Sequence, residues 1–289
     1  MYRKLIVNAD GFGFTQGINK GIIESIAKGV VSSISCNVNF PHIQEVEHIV
    51  KYYPQVSIGL HLNVNVGKPV CSPEQVPSLL NNSGEFWGGE FTKRLLFHKI
   101  RISELEKECE AQIIKLQSLG VQISHLDGHQ NKHLYPGYFG SLLKLGKKYG
   151  IKRIRCHRRY IFIKAGKNRK ARLFQYYLGH PRQIITHGYN RIMMRIAENN
   201  GFRMADRMIS HGYIEESEKY ELHAWIALIR ALPAGINEIY CHPGYPDEDL
   251  AKYAEYVDER PLEVAVLTSP ELRRTIEKEN VEIVSFNQI

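Results

Sequence analysis

A chain of 289 residues is long for one ordinary domain and normal for an α/β barrel. Its 43% hydrophobic and 24% charged residues are those of a globular protein whose core needs neither disulfides nor a structural metal. The five cysteines, Cys36, Cys71, Cys109, Cys156 and Cys241, are odd in number, irregularly spaced and without a C-x-x-C pair. That excludes a disulfide framework or zinc ribbon and points to a reducing compartment.

Leu5–Ala9 reads as a short buried strand running into polar Asp10. Gly17–Ala27 has the spacing of an amphipathic helix, closed by Gly29. Val31–Asn39 and Val56–Asn63 read as two more strands. Cys71–Gly89, rich in Pro, Asn, Ser and Gly, reads as a loop or lid. Ser103 with Glu106 has the form of a capping box for a helix running to Leu119 and stopped by Gly120. Val121–Leu126 is then a strand, Tyr138–Tyr149 a helix and Ile151–Cys156 a strand. Arg158–Asn200 fits no regular pattern and reads as a basic insertion. Tyr220–Leu232 is a helix, Ile236–Cys241 a strand, and Pro270–Glu279 a helix with proline in its first turn. This alternation predicts parallel strands with helical crossovers in a single domain, residues 1–289.

Four polar clusters share one position, at or just after the C-terminal end of a predicted strand. They are Asn8-Ala9-Asp10-Gly11-Phe12-Gly13, Gly59-Leu60-His61-Leu62-Asn63, His125-Leu126-Asp127-Gly128-His129 and Cys241-His242-Pro243-Gly244. In a parallel barrel these ends converge on one mouth, where active sites form. Singly, each has a plain structural alternative: Asp10 as a helix cap, His61 as a satisfied core histidine, His242 as a loop residue. Together they make packing alone a poor account. Imidazoles plus a carboxylate suit a divalent metal, more naturally Zn²⁺ than Mg²⁺, and amide hydrolysis needs a base and an acid besides.

These motifs, in this order, together with Val266-Leu267-Thr268-Ser269-Pro270-Glu271-Leu272, resemble the YdjC-like carbohydrate deacetylases, which include the chitooligosaccharide deacetylases and the hopanoid-associated HpnK proteins. The resemblance covers most of the chain. It implies a distorted, TIM-like (β/α) barrel and divalent-metal-dependent removal of acetyl from an N-acetylated sugar, with Mg²⁺ or Zn²⁺ as the ion. By that resemblance His61 and His125 are metal ligands and Asp10 the catalytic base. His242 is an active-site histidine, inferred to be the acid, and Asp127, His129 and Asn63 are candidate substrate-binding residues. Two departures stand out. Gly11 occupies the place of a second consecutive aspartate, expected to bind metal, and Asn131 that of a further histidine. They leave open a metal held by His61 and His125 with Asp10 or Asp127, a weakly held metal, and a degenerate, sugar-binding site.

The net charge of +8 is unevenly spread, since thirteen Lys/Arg and no acidic residue fall in Ile151–Ala197. Basic residues there alternate with Tyr160, Phe162, Phe174, Tyr176 and Tyr177. Residues 152–195 are therefore expected to meet an anionic membrane surface or the phosphate of a lipid- or nucleotide-linked sugar. A basic lid or an oligomer contact, as in a homodimer, is the plainer alternative. No nucleic-acid partner is expected, because no such binding motif occurs. No apolar run reaches the ~18 residues of a membrane span, and no h-region precedes Asp10. The expectation is a cytoplasmic protein, peripheral at most to a membrane.

Overall fold

The computed structural model describes residues 2–162, 168–210, 220–250 and 257–289; Lys164 and Lys167 of the basic stretch lie outside them. Among the described residues, eight strands form one parallel sheet: β1 (Arg3–Phe12), β2 (Ser33–Cys36), β3 (Ser57–Leu62), β4 (Leu126–Gly128), β5 (Arg159–Ile161), β6 (Arg207–Ser210), β7 (Gly235–Cys241) and β8 (Val281–Ile283). The order is β4-β3-β2-β1-β7-β6-β5, with β8 on β1. From β4, single parallel bridges Leu126–Ile154 and Arg153–Arg203 carry the hydrogen bonding onward toward β5 and β6. The sheet thus curls into the expected distorted barrel.

The helices are α1 (Gln16–Ala27), α2 (Val46–Tyr52), α3 (Phe91–Leu96), α4 (Ile102–Ser118), α5 (Tyr138–Lys148), α6 (Arg169–Gly179), α7 (Pro181–Asn199), α8 (Leu222–Arg230), α9 (Arg260–Leu267) and α10 (Pro270–Lys278). The main hydrophobic core lies where apolar strand and helix side chains meet, with Leu5, Val7, Ala9, Ile34 and Leu60 against Ile18, Ile22 and Ile113. Alternation along β1 sends the other set, Ile6, Asn8 and Asp10, into the barrel. A second, small cluster of Ile6, Val284 and Phe286 fills the barrel floor.

Several local expectations shift. The helix α4 starts at Ile102, so Ser103 lies inside the first turn and cannot cap it. Ser78 serves that end instead, its hydroxyl accepting from Arg101 N at 3.0 Å. Asp10 is not a helix cap either: Thr15 caps α1, accepting from Ile18 N. The loop Cys71–Gly89 is pinned rather than loose. The Glu108 carboxylate accepts from the Val70 and Cys71 amides, both at 2.9 Å, and Glu104 accepts from Ser78 N at 2.7 Å. The segment Arg158–Asn200 is no simple insertion, because it supplies β5 to the sheet before turning into α6 and α7.

Candidate active site

The barrel interior is a column of polar side chains ordered by strand register. Low in the barrel, Ser33 on β2 meets Ser57 on β3, hydroxyl to hydroxyl at 2.8 Å. Asn8 registers with this pair; one step up, Asp10, Ser35, Gly59 and His125 share a row, and His61 stands opposite Asp127 above it, toward the strand C-termini. His125, Asp127 and His129 follow one another at every second residue, so the same strand places them at rising depths. His125 is fully buried, whereas His129 reaches partial exposure at the mouth.

Asp10 and Asp127 are tied together by Arg155. The guanidinium donates to both Asp10 oxygens, at 2.8 and 2.5 Å, and lies 2.5 Å from Asp127 Oδ2. Its Nε donates to Glu238 on β7 at 3.1 Å. Asn8 Nδ2 donates to Asp10 at 2.7 Å, and Ser35 Oγ donates to Asp127 at 2.8 Å. Burial works to raise both aspartates, but Arg155 first and His61 next outweigh it and hold them below the usual carboxylate range. One guanidinium serving three buried carboxylates leaves Glu238 the loser: burial pushes it up to about 7 against the pull of Arg155 and the Cys156 amide.

That shift has a testable sign. A carboxyl raised in the fold stays protonated there while it ionises in the unfolded chain. Its unfavourable contribution therefore grows as pH climbs from its ordinary value of 4.5 to about 7. Glu238→Gln should gain thermal stability relative to the wild type between pH 5 and pH 8; a difference independent of pH would remove this account.

Of the residues read from the sequence, the structure brings Asp10, His61 and Asp127 together. Among the described residues they form the one group of three or more metal-capable side chains, their ligand atoms within 4.8 Å of one another. His61 Nδ1 lies 2.8 Å from Asp127 Oδ1, which leaves its Nε2 for another partner. The His129 ring stands edge-on to His61, centroids 5.6 Å apart. Burial lowers His129 to about 3, helped by His61 and His242. His242 is likewise lowered to about 3 by burial, with Asp10 pulling the other way. Its amide donates to Glu263, and its carbonyl accepts from Arg260 at 3.2 Å.

His125 is set apart from this group. Its Nε2 faces the Ser35 hydroxyl at 3.3 Å and its Nδ1 the Ser124 hydroxyl at 2.8 Å. Its ring stacks on Phe286 at 3.7 Å. On the other side lies Gly59, where a Cβ would come within 2.2 Å of the imidazole, so the glycine of the Gly59–Asn63 cluster is a packing requirement of His125. Asn63 is also spent on structure: its amide accepts from the Asn65 and Val66 N–H groups and donates to Val66 O. Gly11 sits at a bulge in β1 with φ +104, a conformation that any side chain there would strain.

Sequence reading missed Arg155, Glu238, Ser35 and Asn37. Ser33, Ser35 and Asn37 do carry a signal, polar residues at every second place in an otherwise apolar strand. Asn37 is fully buried with neither amide atom partnered, which suits a group awaiting a ligand. Arg155 was hidden among the other cations of the basic stretch.

The YdjC-like protein family profile matches residues 4–278. A carbohydrate deacetylase of Halalkalibacterium halodurans is 30% identical over 280 residues, covering 94% of this chain and 98% of the relative. A carbohydrate deacetylase of Brevibacillus brevis is 27% identical over 289 residues, covering 99% of both. A crystal structure of an Enterococcus faecalis V583 protein described as a cellobiose-phosphate cleavage protein superimposes with TM-score 0.78 at 26% identity. The match covers 100% of this chain and 99% of that one.

Proposed function

The chain belongs to the YdjC-like protein family, and from that membership we propose that it is a divalent-metal-dependent N-deacetylase of an N-acetylated amino sugar. The carrying observation is the gathering of Asp10, His61, His129 and His242 at one mouth, in a chain matched end to end by relatives named carbohydrate deacetylase. The reaction breaks the acetyl C–N bond, forms a C–O bond from water, and yields acetate and a free amine.

The donor set fits a metal. Asp127 orients His61 through Nδ1, the usual arrangement behind a metal-binding imidazole, and His129 is neutral beside it. We assign His61 and His129 as the imidazoles that would hold the ion, so that the ligand role expected of His125 passes to His129. A divalent ion there would supply polarisation of the acetyl carbonyl and acidification of water. Two imidazoles favour Zn²⁺ over Mg²⁺.

Asp10, kept ionised by Arg155, takes the proton from water. His242, neutral in the free chain and coupled to Asp10, relays a proton to the leaving nitrogen. Asp127 works through His61 rather than on the sugar. The neighbouring positive charge favours a phosphorylated, nucleotide-linked or lipid-linked substrate. Five free, buried cysteines suit a reducing cytoplasm.

Acetate release from free, phosphorylated, nucleotide-linked and lipid-linked N-acetylhexosamines, with and without added Zn²⁺ or Mg²⁺, tests the activity. Release from none of them would overturn it. Metal content tests the ligands. His61→Ala and His129→Ala should each lose metal affinity by about tenfold or more. His125→Ala should keep its metal and instead lose ~3 kcal/mol of stability, as a buried ring deleted from a packed layer does. The reverse pattern would return the ligand role to His125.

Gly11 favours a second reading, a sugar-binding protein without hydrolysis, since no carboxylate is available at that bulge. Sugar binding with neither metal uptake nor acetate release would establish it.

A further inference from the structure

The helix α7 turns the wrong side inward for a helix in water. Its buried side carries His187, Asn190, Met194 and Ala197, while Ile184, Ile185, Ile192 and Ile196 face out. Ile185 is 76% exposed and Ile192 58%, values seen on an unpartnered surface rather than on a core face. The preceding α6 adds Phe174 and Leu178, one turn apart and each 65% exposed. Exposed Lys170, Arg182, Arg191 and Arg195 stand among them, and the only acidic residue of the two helices, Glu198, is paired with Arg158.

We propose that the α6–α7 pair is a docking surface for an anionic phospholipid bilayer. The apolar side chains enter the headgroup boundary and the lysine and arginines meet the lipid phosphates. Charge complementarity selects this occupant. A second copy of the chain would set the same basic face against itself, where like charges repel. Single-stranded nucleic acid would need a row of aromatic stacking platforms, whereas this surface sets Phe174 among the aliphatic Leu178, Ile184, Ile185, Ile192 and Ile196. Tyr189, on the inner side of α7, donates to Leu134 O at 2.6 Å, in the turn that begins with His129. The docking helix is therefore one side chain away from the rim of the barrel mouth. The proposal does not depend on the deacetylase reading, because binding is measured without turnover.

Co-sedimentation of the whole chain with phosphatidylcholine vesicles, with or without about 30% phosphatidylserine, tests it. Binding should be at least about tenfold stronger on the anionic vesicles and should weaken as salt rises to about 0.5 M. Combined Phe174→Ser, Leu178→Ser, Ile185→Ser and Ile192→Ser should lower that binding by about tenfold or more. So should combined Arg182→Glu, Arg191→Glu and Arg195→Glu. Both variants should keep the wild-type circular dichroism, since all seven side chains are exposed. Equal binding to neutral vesicles, no binding to either, or binding unchanged in the folded variants would overturn the proposal. So would a solution dimer that the serine variant converts to monomer, or an oligonucleotide bound in preference to vesicles.

Discussion

Asp10→Asn should lower kcat for acetate release by about a thousandfold while KM changes only a few-fold. Asparagine gives up part of the carboxylate's structural work, since both Asp10 oxygens accept from Arg155 and an amide offers one acceptor. Arg155 would keep its contacts with Asp127 and Glu238, and asparagine could still accept a hydrogen bond from it. What the amide cannot do is take a proton from water. The expected signature is therefore a folded protein with a lowered melting temperature, near-normal metal content and almost no turnover. If the variant retained more than about a tenth of wild-type kcat, the base would have to be sought elsewhere. His242 is the next group to substitute, since it shares the electrostatic environment of Asp10.

Arg155→Met should be the most destabilising single change at the site, by about 3–5 kcal/mol, because it removes one cation from among three buried carboxylates. Its pH dependence identifies the cause. In the wild type, Asp10 and Asp127 have folded pKa values below their ordinary value of 3.8. Their contribution is thus complete above that value and is lost only in strong acid, as pH falls through the lower folded pKa. Without Arg155, burial loses its main opponent and raises both, with His61 still pulling the other way. The sign then reverses: the carboxyls prefer to be protonated in the fold, and stability is lost as pH rises. The methionine variant should gain more stability than the wild type on going from pH 7 to pH 5 in equilibrium denaturation. A uniform loss at all pH values would show that only packing had been disturbed.

The barrel was legible in the sequence because four of its strands end in a change from apolar to polar residues. Asp10, His61 and His242 mark such ends, and the alternation of His125, Asp127 and His129 was visible as well. Depth was not legible. Period two fixes which side of a strand a residue faces, not how far down the barrel it sits. That distinction separates His125, stacked on Phe286 near the floor, from His129 at the mouth. Ile151–Cys156 reads as a strand but contributes only the bridges at Arg153 and Ile154, whereas strands β5 and β6 were obscured because they pair over only a few residues. Their neighbours, not their own patterns, make them strands. Arg155 was missed because nothing in a run of cations marks the one that turns inward.

The first strand, β1, is bounded by β2 on one side and β7 on the other, with β8 beside its N-terminal half, where Leu5 registers with Ile283. In the order of synthesis, the segment bearing Asp10 thus precedes two of its three neighbours by more than two hundred residues. Such long-range pairing carries a high loop-closure cost and slow folding. The barrel floor has the same dependence, since Ile6 packs on Val284 and Phe286. A nascent chain holds the parts of the site without its arrangement, so the metal-capable side chains acquire their spacing only once β7 and β8 have been made.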